Sequence, residues 1–282
     1  TRYPNGKNSM HQAGIYLENK YKWSPKVQTQ WGGRLGYSML SSHLNDSIFF
    51  KFPFSSIQQN NITYSANAGL AYFSKGMEEV EQWKTTLFSS TGFRAPNIDD
   101  LGKIFETAKG NIIVPNESIK PEKTWTTDLG ITRMSKQLIW ETHAYTTLFF
   151  DAIVTSPFQY QGKDSIVYDG VLSAVFANQN QRRAFILGGN SQLSWRINPH
   201  FTWNIGANYT RGRILVGDST TPLDHIPPVQ FSSDVNYHVG KIAIWGQFYY
   251  QGKKDIRDYL LNGEDNEQYA PATGMPAWMV VH

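Results

Sequence analysis

The stretch HFTWNIGANYT, residues 200–210, puts Phe201, Trp203, Ile205, Ala207 and Tyr209 on one parity and Thr202, Asn204, Gly206, Asn208 and Thr210 on the other. Successive side chains of a β-strand point to opposite faces, so this run is a strand with one apolar and one polar face. The run before it repeats the pattern. Phe185, Leu187, Leu193, Trp195 and Ile197 alternate with Asn190, Gln192, Ser194 and Arg196, and only Asn198 and Pro199 separate the two runs. The pair reads as a hairpin with a tight turn.

Carried along the chain, the same reading predicts about eleven strands, at 10–23, 27–44, 61–77, 83–93, 123–133, 138–154, 182–197, 200–213, 228–238, 242–254 and 276–282. Many exceed ten residues, longer than the five or six usual in globular sheets and suited to tilted strands crossing a bilayer. Connections alternate between short (24–26, 78–82, 134–137, 198–199, 239–241) and long (45–60, 94–122, 155–181, 214–227, 255–275). Short turns on one side and long loops on the other is the arrangement of an outer-membrane barrel. The expected fold is therefore all-β, an antiparallel transmembrane β-barrel.

Charge tests this reading, because a Lys or Arg facing lipid at the midplane costs about 2–4 kcal/mol. The apolar parity carries no charged residue through its central span and reaches Arg133 and Arg211 only at strand ends. The other parity holds Glu18, Lys20, Arg34, Lys84, Asp128, Glu141, Asp151, Arg196 and Asp234. Tyr21, Trp23, Trp83, Trp140, Trp195 and Trp203 lie near short turns, as an interfacial girdle requires, and Trp125 and Phe93 lie near the opposite ends. Alternation alone would equally describe a soluble β-sandwich; strand length, loop asymmetry and aromatic placement favour the barrel.

Composition limits the alternatives. Aromatic residues make up 14% of the 282, charged residues 17%, cysteine is absent and the formal charge is +3. Disulfides and thiolate metal sites are thereby excluded, and no basic run suggests a nucleic-acid partner. Seven histidines lie scattered without ligand-like spacing, so no metal site, no catalytic residues and no cofactor are assigned. His143 and His238 fall on the polar parity. Asp99 and Asp100 follow Pro96 and Asn97 at a helix start, where acids cap free N–H groups and complement the dipole. Residues 156–181, with Tyr160 and Tyr168 among Gln, Asn and Asp, read as an exposed recognition loop.

Two stretches carry a resemblance. GFRAPNIDDLGKIFE, with Phe93, Arg94, Ala95, Pro96 and Asn97, is followed by IIVPNESIKPEKTW, with Pro115, Asn116, Lys120, Pro121 and Glu122. Together they resemble the paired signature boxes of TonB-dependent outer-membrane receptors, particularly those of the Bacteroidetes type. The resemblance implies a barrel of roughly 22 strands closed by an N-terminal plug domain. The present chain would be a C-terminal portion of one such barrel domain over 1–282, truncated at both ends, with the plug outside it. It implies no enzymatic activity. It implies uptake across the outer membrane of a scarce nutrient, such as a ferric siderophore or another metal chelate, cobalamin included. The energy would come from TonB–ExbB–ExbD acting through the plug, and outer-membrane lipid would surround the wall. Residues 95–114 lack the histidine that haem receptors of this family place between the boxes, which weighs against haem. The rival is an adhesin or structural barrel without coupled transport. Candidate ligand contacts at the outer rim and lumen are Arg94, Asn97, Asn116, Lys120, Tyr160 and Tyr168, with Arg94 expected on the lumen side, fixing the loop or meeting an anionic chelate.

Overall fold

The computed structural model describes residues 6–44, 54–108, 110–260 and 271–282. Its strands are β1 (Gly6–Ser24), β2 (Val27–Leu44), β3 (Ser56–Phe73), β4 (Gln82–Arg94), β5 (Phe105–Ala108), β6 (Asn111–Val114), β7 (Glu122–Met134), β8 (Leu138–Pro157), β9 (Ser165–Tyr168), β10 (Val171–Asn198), β11 (Phe201–Val216), β12 (Ser219–Pro222), β13 (Gln230–Val239), β14 (Ile242–Gln251) and β15 (Trp278–Val281). One short helix, α1 (Ile98–Gly102), follows β4. All strands join one sheet, whose main path is the eleven-stranded order β1-β2-β3-β4-β7-β8-β10-β11-β13-β14-β15. The path is an antiparallel meander, open at β1 and β15.

The expected eleven strands are the members of this path, with three differences. β3 spans 56–73 instead of 61–77, ending before Gly76, whose φ of 139° suits no ordinary strand residue. β10 begins at Val171, not at 182, and runs for 28 residues. Short strands β5, β6, β9 and β12 occupy connections read as loops; the apolar run Ile112-Ile113-Val114 builds β6.

Directly paired residues share a face, so register turns parity into rows. Trp83, Arg133, Trp140, Leu193 and Ile205 form one row across β4, β7, β8, β10 and β11. Beside it on the opposite face run Lys84, Thr132, Glu141, Gln192 and Gly206. The apolar face is bare: Ile15 is 74% exposed and Ile62 73%. A sandwich would cover these residues with a second sheet, and the described strands form only one. The face is built for lipid.

Indole N–H groups explain why that face contains Ser and Thr. Trp125 Nε1 donates to Ser89 Oγ at 2.7 Å, Trp140 to Ser191 at 2.9 Å, Trp203 to Ser233 at 2.8 Å and Trp23 to Thr29 Oγ1 at 2.8 Å. Each acceptor lies on the neighbouring strand of the same face. An indole N–H held away from water costs free energy if left unpaired, and a hydroxyl beside each ring removes that cost. Arg133 lies over the Trp83 ring at 5.6 Å, at the end of the wall near the short turns.

Side chains at the first position close three short turns. Ser24 Oγ accepts from the N–H of Lys26 and Val27, Ser135 Oγ from that of Leu138, and Asn198 Oδ1 from that of His200.

Candidate functional site

At the long-loop end, β4 stops at Arg94, and buried Ala95 and Pro96 turn the chain inward. Proline has no N–H for the ladder, so pairing ends here. Asn97 caps α1: its Oδ1 accepts from the N–H of Asp100 at 3.0 Å, and Asp100 Oδ2 accepts from the N–H of Asn97 at 3.0 Å. This reciprocal capping box satisfies two N–H groups that a helix start otherwise leaves unpaired. Asp99 lies in the first turn but takes no part in the box.

Arg94 ties the helix to the wall. Its Nη1 donates to Asp100 Oδ2 at 2.7 Å and its Nε to Glu122 Oε1 at 3.4 Å. Arg94 and Glu122 are also register partners of β4 and β7, so the residues that open and close the connection stand side by side. Glu122 Oε2 accepts from the N–H of Ile153, just past Asp151, whose φ of 54° is left-handed. Arg94 shares the face of Lys84 on β4, and its side chain is 44% exposed.

The second box is held by its backbone. Asn180 Oδ1 accepts from the N–H of Lys120 at 2.7 Å, while its Nδ2 donates to the carbonyls of Lys120 and Asp151. Asn178 Nδ2 reaches the carbonyl of Asp100 at 3.2 Å, and Asn116 Nδ2 donates to the carbonyl of Asn178 at 2.8 Å. From the other side, Gln59 Nε2 donates to the carbonyls of Glu117 and Ile119. The box thus bridges β3 and β10 across the inner face.

Two apolar clusters hold this cover. Leu101 and Ile119 pack on Leu40 and Ile57 of the wall. Ile104, Ile112, Val114, Tyr160, Val175 and Ala177 form the other, with Phe158, Ile166 and Tyr168 against them. β6 pairs parallel to residues 174–177 of β10, and β9 folds back on β10 through a turn at Asp169 and Gly170, both with positive φ. Residues 156–181 are therefore largely strand, which corrects the expectation of a loop, while residues 161–165 are exposed. Apolar residues from two distant connections exclude water together.

The six candidate contacts divide accordingly. Arg94, Asn97 and Lys120 are exposed, Tyr168 is half-buried, and Asn116 and Tyr160 are buried. Burial pushes the Tyr160 phenol up to about 12. Asn116 accepts from the N–H and hydroxyl of Ser118, so its side chain organises the turn. The residues missed by sequence reasoning are Gln59, Asn178 and Asn180. Asn178 and Asn180 stand two apart within ANQNQ, the spacing of one strand face, and that was their signal.

Lower on the inner face, His143 sits between Asp128 at 2.8 Å from Nδ1 and Glu141 at 3.2 Å from Nε2. Gly130 makes the room, since a Cβ there would lie 2.7 Å from His143 Cε1. Among the described residues no three His, Cys, Asp or Glu side chains converge on a metal site.

Comparison with known proteins agrees with this architecture. The family described as TonB dependent receptor-like, β-barrel, matches residues 1–282. No curated protein matches the sequence. Among solved structures, the copper transporter OprC superposes with a TM-score of 0.74 at 16% identity, over 97% of this chain and 38% of that one. The ferric yersiniabactin uptake receptor FyuA from Yersinia pestis gives 0.63 at 15% identity, over 98% and 38%. The FrpB iron transporter from Neisseria meningitidis gives 0.66 at 12% identity, over 99% and 38%. The chain spans well under half the length of these structures.

Proposed function

The chain belongs to the TonB-dependent receptor-like β-barrel family, whose members sit in the outer membrane, and on that premise we propose that it forms part of a receptor importing a ferric siderophore or related metal chelate. The observation that carries this reading is the ordered cover over the inner face: both signature boxes are fixed there while Arg94, Asn97 and Lys120 keep exposed side chains. A rigid scaffold presenting a few polar groups suits selective capture of a solute. Siderophore and iron receptors among the structural neighbours support the chelate class.

In this reading Arg94, Asn97, Lys120 and Tyr168 meet the ligand, while Asn116 and Tyr160 shape the surface from within. Arg94 already serves Asp100 and Glu122, so its first role is to hold the rim, and an anionic chelate adds a third partner. Transport itself needs the plug and the TonB–ExbB–ExbD motor, which lie outside this chain. No bond is broken in the ligand.

The test is uptake of an iron-55-labelled ferric siderophore panel by cells carrying the full-length protein, with and without a protonophore. Energy-dependent accumulation of one chelate, weakened by Lys120→Glu, is the expected result. Accumulation of none, or accumulation unaffected by collapse of the proton gradient, overturns the proposal.

A further inference from the structure

The outer rim of the wall changes chemistry abruptly. On β11 the outward positions Phe201, Trp203, Ile205, Ala207 and Tyr209 are apolar, and the next two are Arg211 and Arg213. At about 3.3 Å per residue and a tilt near 45°, Arg211 stands roughly 23 Å from the short turn, where an apolar band of about 25 Å gives way to headgroups.

Register extends the pattern sideways. Arg211 pairs with Leu187 and Arg213 with Phe185, both on the lipid-facing parity. Arg183 pairs with Phe150, and Phe150 with Lys123, so these cations share that outward face across β7, β8 and β10. Lys123 already rests on Tyr64, with Nζ 5.4 Å from the ring centre. Arg183 and Arg211 have no ion-pair partner among the described residues.

Beside Arg211 the wall opens into a pocket of about 500 Å³, between the end of β11, residues 223–229 and residues 253–258. Arg211, Arg213, Lys253, Lys254 and Arg257 line it against a single lining acid, Asp258. Asp258 is taken by Arg213 at 2.7 Å, and Asp255 is shared by Lys253 at 3.0 Å and Arg257 at 3.7 Å. Cations therefore exceed the carboxylates facing them, and the Lys253 and Arg257 side chains are 69% and 82% exposed. Arginine forks match phosphate oxygens two at a time, and a lysine adds a point charge.

We propose that this pocket binds the phosphorylated headgroup of an outer-leaflet lipid, with the acyl chains lying along Tyr209 and Leu187. The chemistry required is a phosphate monoester or diester, and the exposed, lipid-facing positions of Arg183 and Arg211 select a membrane lipid over a solute in the lumen. The inference rests on the outer-membrane placement of the wall and not on which chelate is imported.

Full-length protein is delipidated in detergent and titrated with bisphosphorylated lipid A, with the same lipid after enzymatic dephosphorylation, and with inorganic phosphate, by native mass spectrometry. The expected order is lipid A well ahead of both others. Arg211→Gln combined with Lys253→Gln weakens lipid A by about 30-fold, the effect of two interfacial cations. Arg213 is left in place to preserve its bridge to Asp258, and Arg196→Gln in the lumen changes nothing. Equal binding of the dephosphorylated lipid, equal binding of inorganic phosphate, or undiminished binding by the double variant overturns the proposal. Chelate uptake by cells carrying the same variant is measured in parallel, so that failure of lipid binding and failure of the receptor reading are separate results.

Discussion

The wall and the rim cover obey opposite rules of burial. On the wall Leu17, Leu87 and Ile242 face outward uncovered, whereas in the cover Leu101, Ile112 and Val114 are sealed at 1% exposure or less. Both regions hide apolar surface from water; the wall leaves that task to lipid, and the cover does it with its own residues. The cover is thus a small water-facing core built on the end of a membrane sheet, and the two should fail separately.

The largest effect expected is on the cover. Ile112→Ala empties a fully buried site and should cost about 2–5 kcal/mol. In the full-length protein, limited proteolysis should then cut between 94 and 122 while the barrel keeps its heat-modifiable mobility on a gel. Loss of that mobility would merge the two regions into one cooperative unit. Next comes the wall: Ile205→Arg sets a charge in mid-bilayer at about 2–4 kcal/mol, and Asn204→Arg on the opposite face should cost far less. Denaturant titration in vesicles separates them, and equal costs would invert the assignment of faces.

A pH titration sharpens the comparison further. Unfolded Tyr160 ionises near its ordinary 10.0, folded Tyr160 at about 12. The folded state therefore favours the neutral phenol, and the cover's stability is intact below pH 10 and falls as pH rises toward 12, by about 2–3 kcal/mol in all. Hydrogen exchange of residues 111–114 followed across that range should show the loss, and Tyr160→Phe should flatten it. The smallest effect is at the cap: Asn97→Ala should weaken α1 by about 1 kcal/mol, with Asn97→Ser near wild type. Faster exchange of the Leu101 amide in the alanine variant alone is the measurement.

The wall was legible because its period of two persists through strands of 18 and 20 residues, long enough to survive interruptions. Ser89, Ser191 and Ser233 interrupt its apolar face and are the indole acceptors. The cover was legible only in outline. Pro96 and Asn97 announced a strand end and a helix cap, but the core joins Ile112 to Tyr160 and Val175, and no local pattern links residues so far apart. Tyr160 reads as recognition material because its polar neighbours are visible in sequence while its packing is not.

The parallel pairing of β6 with β10 sets an order of assembly. Asn111 to Val114 find their partners at Ala174 to Ala177, more than sixty residues later in the chain, and across two intervening wall strands. Closing so long a loop is entropically slow until β7, β8 and β10 have brought its ends together. The rim cover therefore ripens last, on a wall already zipped, and a receptor caught midway through insertion would show finished strands beneath an unformed mouth.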